Sequence, residues 1–199
     1  MKKLLFYISA LVMTLCYTSC SEEKIALYDQ EPRINFDYRT VYSELNANDY
    51  LMRNTDPYRL DSVRVRIQGD MLTAPRDFCI KKTDNKNYAN TLDIQLDDKY
   101  TFTAIDTVCQ YVYFKVKRPE YKAGRKAYGC SLEFDLANPN HQFAKGFIEE
   151  HTVDVNYVWK ITEPETWSDW YWKGLGEFSP IKYCYIMDVW GRTLESFIT

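Results

Sequence analysis

Runs of alternating apolar and polar residues constrain the fold of this chain more than any other feature. In the clearest run, Ser62–Gln68, valine or isoleucine alternates with arginine before a Gly-Asp turn signal. Successive side chains of a strand point to opposite faces of a sheet, so this pattern predicts a strand with one buried and one solvated face. The other runs of this kind lie around Ile34 and Phe36 and at Phe78–Lys81, Leu92–Leu96, Val108–Val116, Ser131–Leu136 and Thr152–Ile161.

About seven short strands are therefore predicted, and the loops between them are rich in Asn, Asp, Gly and Pro. Little room is left for helical crossovers. This pattern is typical of an antiparallel Ig-like sandwich, which we assign to residues 32–162. The 17 Tyr, 10 Phe and 5 Trp suit a mainly β protein, and aromatic residues that face outward would be able to bind a ligand.

Residues 163–199 do not continue the strand-like alternation, and we predict that they form a small helical carboxy-terminal appendage packed on the sandwich. Ser179 is the predicted helix N-cap, Pro180 lies in the first turn, and Gly191 is placed to end the helix. The approximately helical apolar stripe consists of Ile181, Cys184, Tyr185, Met187 and Val189.

The predicted binding residues are the aromatic cluster Trp167, Trp170, Tyr171 and Trp172. Such rings offer flat faces to sugars or peptide side chains. In a helix, the first three share one face, which either binds a ligand or docks the appendage on the sandwich. Docking is the preferred interpretation, with Trp167 and Trp170 as buried anchors and Trp172 exposed.

The amino-terminal segment has the features of a secretory signal. Two lysines are followed by the apolar run Leu4–Leu15 and then by small residues before Cys20. The run is shorter than the ~20 residues needed to span a bilayer. A cysteine at the cleavage position predicts a bacterial lipoprotein, with residues 1–19 as signal peptide, Cys20 as the lipidation site and 20–31 as a lipidated tether. The membrane is then a partner through the lipid anchor.

Several function classes find no support. The net charge is −3 and no basic block suggests a nucleic-acid partner. No catalytic motif accompanies His141 or His151, so a non-enzymatic role is expected. The acidic residues Asp84, Asp97-Asp98 and Glu149-Glu150 lack the spacing of a calcium site and predict a solvated surface, with no metal and no cofactor.

Four cysteines besides Cys20 belong to the predicted mature chain, namely Cys79, Cys109, Cys130 and Cys184. None forms a C-x-x-C pair. An exported protein could join them in two bridges with three possible connectivities, but free buried thiols are the preferred interpretation.

The order of several motifs resembles a family of Bacteroides-type surface lipoproteins. These motifs are V-R-V-R-I-Q-G-D with Arg76-Asp77-Phe78 after it, L-E-F-D-L-A-N-P-N-H-Q-F with Gly146 after it, E-P-E-T-W, and L-G-E-F-S-P-I-K-Y. The family is domain of unknown function 4843, and the resemblance covers most of residues 30–191. The acidic residues after Cys20 also resemble the signal that sends such lipoproteins to the outer face of the outer membrane.

The resemblance implies a calx-β or Ig-like sandwich that faces outward at the cell surface. It also implies an accessory of a SusC/SusD-type nutrient importer that binds a glycan or a peptide, without catalytic residues. Relatives tend to continue further at the carboxy terminus, so a shortened version is expected. The alternative function is a structural or adhesive module that binds another protein.

Overall fold

The computed structural model describes residues 31–103, 105–122, 124 and 127–197. The predicted signal peptide, Cys20 and nearly all of the predicted tether lie outside these residues. The strands are β1 (Arg33–Phe36), β2 (Thr40–Leu45), β3 (Tyr58–Gln68), β4 (Arg76–Phe78), β5 (Ile80–Thr83), β6 (Ile94–Gln95), β7 (Tyr100–Phe102), β8 (Cys109–Lys117), β9 (Tyr128–Phe134), β10 (Ala144–Lys145) and β11 (Thr152–Trp159).

The strands form two larger sheets and a small ribbon. One sheet has the order β10-β1-β3-β8-β6, the other has the order β2-β11-β9-β5, and β4 pairs with β7. Most pairs are antiparallel, whereas β1 with β10 and β2 with β11 are parallel. The predicted fold class, a mainly β Ig-like sandwich with a helical carboxy-terminal appendage, is confirmed. The two parallel pairs were not predicted, because alternation along a strand does not encode the direction of its neighbour.

The core lies between the two larger sheets. The valines and isoleucine of the Ser62–Gln68 run are buried, as the alternation predicts. The rings of Phe36 in one sheet and Phe134 in the other stack with centroids 4.2 Å apart. This stacking contact joins the apolar faces of the two sheets.

The structure divides one predicted strand and adds strands that were not predicted. The run Phe78–Lys81 is not one strand, because β4 ends at Phe78 and β5 begins at Ile80 in a different sheet. The buried Cys79 lies at this corner, where the chain changes sheets. The strand β2 was not predicted, since its outward side chains are polar and only two of its six residues, Val41 and Leu45, are aliphatic.

The helical elements are α1 (Ala47–Met52), α2 (Trp167–Trp170), a π-helical turn (Tyr171–Leu175), α3 (Pro180–Trp190) and short 3-10 turns at Ile148–Glu150 and Leu194–Phe197. The predicted limits of α3 are confirmed: Ser179 is the N-cap, Pro180 opens the helix, and Gly191 ends it with a left-handed φ of 66°. The Ser179 side chain makes no capping hydrogen bond.

The predicted apolar stripe of α3 is only partly correct. The helix buries Tyr183, Cys184, Ile186 and Met187. Three members of the predicted stripe, Ile181, Tyr185 and Val189, are exposed instead. They follow one another at intervals of four residues, so they form a separate ridge that points away from the packed face.

The appendage closes the end of the sandwich at which β3 begins. The Tyr50 hydroxyl of α1 donates to Asp188 Oδ2 of α3 at 2.8 Å, and the Tyr50 ring meets the ring of Trp159 at the end of β11. The described chain begins at the opposite end, where Arg33 pairs with Gln68. These ends are separated by the length of β3, which is about 33 Å. No helix among the described residues has the length and apolar character to cross a bilayer.

Candidate functional site

Trp167 is a buried anchor of the appendage. Only 1% of its surface is exposed, and its ring packs against Phe178 and Tyr183 at centroid distances of 5.1 and 6.1 Å. Its indole Nε1–H donates to the carbonyl of Gly176 at 2.9 Å. This residue therefore has no surface to offer a ligand. Its burial agrees with the docking interpretation, but these contacts lie within the appendage and not on the sandwich.

The other members of the aromatic cluster are more accessible. Trp170 is half-buried against Trp190, with the Lys173 ammonium 4.7 Å from its ring centroid. Tyr171 and Trp172 are exposed, and Trp172 shows 88% of its surface. The prediction of a buried anchor is confirmed for Trp167 and wrong for Trp170, which is only half-buried, whereas Tyr171 and Trp172 form an outward pair in the π-helical turn.

A second aromatic surface lies on the outer face of the sheet formed by β3 and β8. Tyr111 and Tyr113 point outward from β8, and both are more than half exposed. They stand two residues apart, roughly 7 Å along the strand. Both tyrosines lie in the predicted run Val108–Val116, whose alternation places them opposite its buried side, but the sequence pattern assigned them no role. Two successive outward aromatic residues on one strand were the available signal.

The register of β8 holds the two tyrosines in place. Val112, Phe114 and Val116 are buried on the other side of the strand. A slip of one residue would exchange the two faces, so burial of these three side chains fixes the outward direction of the tyrosines.

A groove with a volume of about 550 Å³ opens beside Tyr113. The strands β3, β6 and β8 all contribute, because Lys115 pairs with Leu60 on one side and with Gln95 on the other. The lining residues are Leu60, Ile94, Gln95, Leu96, Asp97, Tyr113, Phe114 and Lys115.

The groove combines apolar surface with free polar groups. Leu60 is exposed beside the Tyr113 ring, whereas Gln95, Asp97 and Lys115 supply an amide, a carboxylate and an ammonium group. Within the described residues, neither the Asp97 carboxylate nor the Lys115 ammonium forms an ion pair. Hydrogen-bond donors and acceptors therefore lie together next to an aromatic ring.

The wall of the groove near Asp97 is held by Tyr100. The backbone N–H of Asp97 donates to the Tyr100 hydroxyl at 3.0 Å. Burial raises the pKa of Tyr100, so its phenol stays protonated at neutral pH. This contact fixes the chain where it leaves β6.

The aromatic surface extends across β3. Arg64 pairs with Tyr111 across the strands, and its guanidinium lies 5.0 Å from the ring centroid of exposed Tyr38. An ion pair with Asp37 holds the Arg64 side chain. A linear ligand that extended from the groove toward the start of β8 would next contact Tyr111, Arg64 and Tyr38.

The acidic residues considered for calcium, which were predicted to form a solvated surface, do not assemble into a cluster. Glu149 pairs with Arg39, and Glu150 pairs with Arg66. No group of three or more His, Cys, Asp and Glu side chains in the described part of the chain could hold a metal ion.

All four predicted mature-chain cysteines are free. Three of them are buried, and Cys109 is half-buried. Burial raises the pKa of Cys130 to about 12 and that of Cys184 to about 11, which keeps both thiols protonated and unreactive.

No protein-family model matches this sequence, and no curated protein matches it either. Similar solved structures include a candidate carbohydrate-binding protein from Bacteroides ovatus, with 7% identity and a TM-score of 0.47; the match covers 63% of this chain and 36% of that one. The apo-form Calx CBD1 domain matches with 10% identity and a TM-score of 0.42 over 66% of this chain and 99% of that one. A B. ovatus protein of unknown function matches with 11% identity and a TM-score of 0.45 over 63% and 44% of the two chains. The fold follows from this chain's own strand pairing, and these likenesses assign it no ligand or activity.

Proposed function

We propose that this protein is a non-enzymatic binding module that holds an oligosaccharide in the groove beside Tyr113. The observation that carries the proposal is the composition of the groove: an exposed aromatic ring and an aliphatic surface lie next to an amide, and next to a carboxylate and an ammonium group that form no ion pair within the described residues. A pyranose ring has an apolar face of C–H groups and a rim of hydroxyls. The apolar face would stack on Tyr113, and the hydroxyls would form hydrogen bonds with Asp97, Gln95 and Lys115.

The proposal includes a place at the cell surface. Acylation of Cys20 would anchor the protein on the outer membrane facing outward, and the bound fragment would pass to a SusC/SusD-type transporter pair. The signal-like segment before Cys20 and the family resemblance of the motifs support this part. Substitution Cys20→Ala should abolish palmitate incorporation, and protease added to intact cells should remove the anchored domain. Equal labelling of both forms would contradict the anchor, and full protection from protease would contradict the outward position.

The binding site is tested by two matched substitutions. Tyr113→Ala should weaken retention on glycan affinity gels by about fivefold or more, because each stacked ring contributes about 1–3 kcal/mol by analogy with base stacking. Tyr42→Ala is the control, since Tyr42 is 55% exposed and Tyr113 is 57% exposed, but Tyr42 lies on β2 in the other sheet. Loss of binding in Tyr42→Ala, or none in Tyr113→Ala, would contradict the groove as the site.

The same screen distinguishes the groove from a glycan or peptide site at the outward pair Tyr171 and Trp172. If the ligand bound at the outward pair, Trp172→Ala would lose binding and Tyr113→Ala would keep it. The screen should therefore include peptides as well as glycans.

The alternative function, an adhesive or structural module, is favoured by one feature. The ridge Ile181, Tyr185 and Val189 exposes a continuous apolar strip on α3. If the protein binds another protein there, serine at these three positions should abolish co-purification of the partner and leave glycan retention intact.

A further inference from the structure

Exposed apolar side chains gather at the end of the sandwich where the described chain begins. Met71 lies in the loop that follows β3, and Ile105 and Val108 lie in the loop that precedes β8. The two loops are neighbours, because the Ile67 N–H donates to the Val108 carbonyl at 2.8 Å. We call Met71, Ile105 and Val108 the amino-terminal loop cluster.

Two further apolar side chains flank this cluster at the edge of the same sheet. Phe147 is exposed, and Ile148 shows 81% of its surface. The Phe147 N–H donates to Asn35 Oδ1 at 2.8 Å, which places the turn two residues along β1 from Arg33. The strands β10 and β8 lie three strand spacings apart, about 14 Å. The five side chains therefore border one end of the sandwich.

The charges around this end are mixed. Acidic and basic residues are both present: Glu31, Asp70, Asp106, Glu149 and Glu150, with Arg33, Arg39, Arg66, Arg76 and Lys145. A surface on which both signs of charge are equally represented gains little from an acidic or a basic partner. Its distinctive component is the protruding apolar groups, which suit the interface of an uncharged lipid bilayer.

The length of chain before this end indicates what covers it. Cys20 precedes Glu31 by 11 residues. Such a segment reaches at most about 40 Å when fully extended. The first described residues lie at this end, where Arg33 pairs with Gln68, so an acyl group on Cys20 would be attached nearer to this end than to the appendage end.

We propose that the amino-terminal loop cluster, together with Phe147 and Ile148, rests on the lipid surface and orients the sandwich upright. The inference depends on the lipid anchor of the proposed function. Leu60 lies eight residues from Gln68 along β3, so the groove would stand about 26 Å from the end that rests on the membrane. The upright position keeps the groove open to ligands arriving from outside.

Site-directed fluorescence in vesicles tests this orientation. Full acylated protein with Cys109→Ser removes the one half-buried described thiol, since the other three are buried. A bimane label is then placed through Met71→Cys, Ile148→Cys, Leu60→Cys or Trp172→Cys. Protein is reconstituted in phosphatidylcholine vesicles with or without brominated acyl chains, and palmitate content is measured in every preparation.

Labels at 71 and 148 should lose emission in brominated vesicles and shift to the blue, whereas labels at 60 and 172 should do neither. Acylated protein with no quenching at 71 and 148, or with equal quenching at all four positions, would overturn the orientation and leave the anchor intact. Protein without palmitate would overturn the anchor, and the orientation with it.

A triple variant provides a second measurement. Met71→Ser, Ile105→Ser and Val108→Ser together should leave acylation and vesicle binding unchanged but reduce quenching of the label at 148. The matched control is Ile181→Ser, Tyr185→Ser and Val189→Ser on α3, which should leave that quenching unchanged. The opposite pattern would show that the α3 ridge, and not the loop cluster, meets the lipid.

Discussion

Trp167 and Trp172 are five residues apart, but the fold uses them in opposite ways. Trp167 fills the interior of the appendage and satisfies its indole N–H on Gly176, whereas Trp172 extends into solvent. Trp170 lies between these extremes because only part of its ring is covered. The contribution of each tryptophan to the free energy of unfolding depends on how much of its ring is buried.

Truncation of Trp167 should therefore be costly. We expect Trp167→Ala to lower the free energy of unfolding by about 3–5 kcal/mol, the usual loss for a buried large aromatic side chain. Trp172→Ala should change it by less than about 0.5 kcal/mol. Trp170→Ala should fall between the two. Denaturant midpoints of the three variants measure this, and a normal midpoint for Trp167→Ala would refute its role as an anchor.

Gly146 is a second position where a single residue decides the packing. A methyl group there would lie 1.9 Å from Asn35 Oδ1 and 2.6 Å from the carbonyl oxygen of Ile34. The Asn35 oxygen is fully buried and already accepts the Phe147 N–H, so it cannot move aside freely. We expect Gly146→Ala to destabilise the fold by about 1–3 kcal/mol through overpacking. Lys145→Ala, at the exposed neighbouring position, serves as control and should be near neutral in thermal unfolding.

At the scale of elements, one buried ion pair joins α1 to the sandwich. Arg118 follows β8 and donates to Asp49 Oδ1 of α1 at 2.9 Å, and both side chains are almost fully covered. The same guanidinium donates to the carbonyl of Tyr58 at the start of β3. Arg118 therefore connects a helix and two strands.

Removal of Arg118 should lower the free energy of unfolding. We expect Arg118→Met to cost up to about 3–5 kcal/mol, because the mostly buried Asp49 carboxylate would lose its nearest cation and keep only Arg59, 3.7 Å away. Arg39→Met is the matched control, since the Arg39–Glu149 pair is exposed and exposed pairs contribute at most about 1 kcal/mol. Equal chemical denaturation curves for the two variants would contradict this account.

The connection between β9 and β11 carries two histidines that respond to pH. His141 and His151 both lie against the Phe134 ring, with centroids 6.1 and 5.6 Å away. Burial is the main cause that lowers the pKa of each imidazole, and each nearby cation or imidazole adds to the effect. The folded state therefore prefers both rings neutral.

Stability should fall as the pH drops below the ordinary histidine value. In the unfolded chain these groups take up protons near pH 6.5, whereas the folded chain resists until a lower pH. The contribution is fully present above about pH 6.5 and is lost as the pH falls through the folded pKa values. Urea midpoints at pH 7.5, 6.5 and 5.5 should decline more steeply for the native protein than for the double variant His141→Gln, His151→Gln. Parallel declines would show that other groups are responsible.

At the scale of the whole molecule, the fold should not depend on a metal ion. The acidic groups that sequence analysis considered for calcium are dispersed, and two of them are held by arginines. We expect an excess of EDTA to leave the melting temperature unchanged, because only a ligand that binds the native state raises it by mass action. A clear decrease, reversed by added calcium, would reveal a site outside these groups.

The fold class and the two faces of the main strands could be predicted from the sequence alone. Alternation is a local property, so Val63, Val65 and Ile67 could be assigned to the core without knowledge of their neighbours. The limits of α3 were equally local, because Pro180 and Gly191 act through their own backbone preferences. The exposure of Trp172 was also anticipated from its angular position.

Which exposed surfaces form, and which strand pairs are parallel, depends on contacts between distant segments of the chain. The groove joins Leu60, Gln95 and Tyr113, which are far apart in the chain and meet through strand pairing. The exposure of Ile181, Tyr185 and Val189 likewise depended on where α1 and Trp167 pack against α3. An apolar residue can be recognised from sequence, but whether another element covers it depends on contacts that link distant segments of the chain.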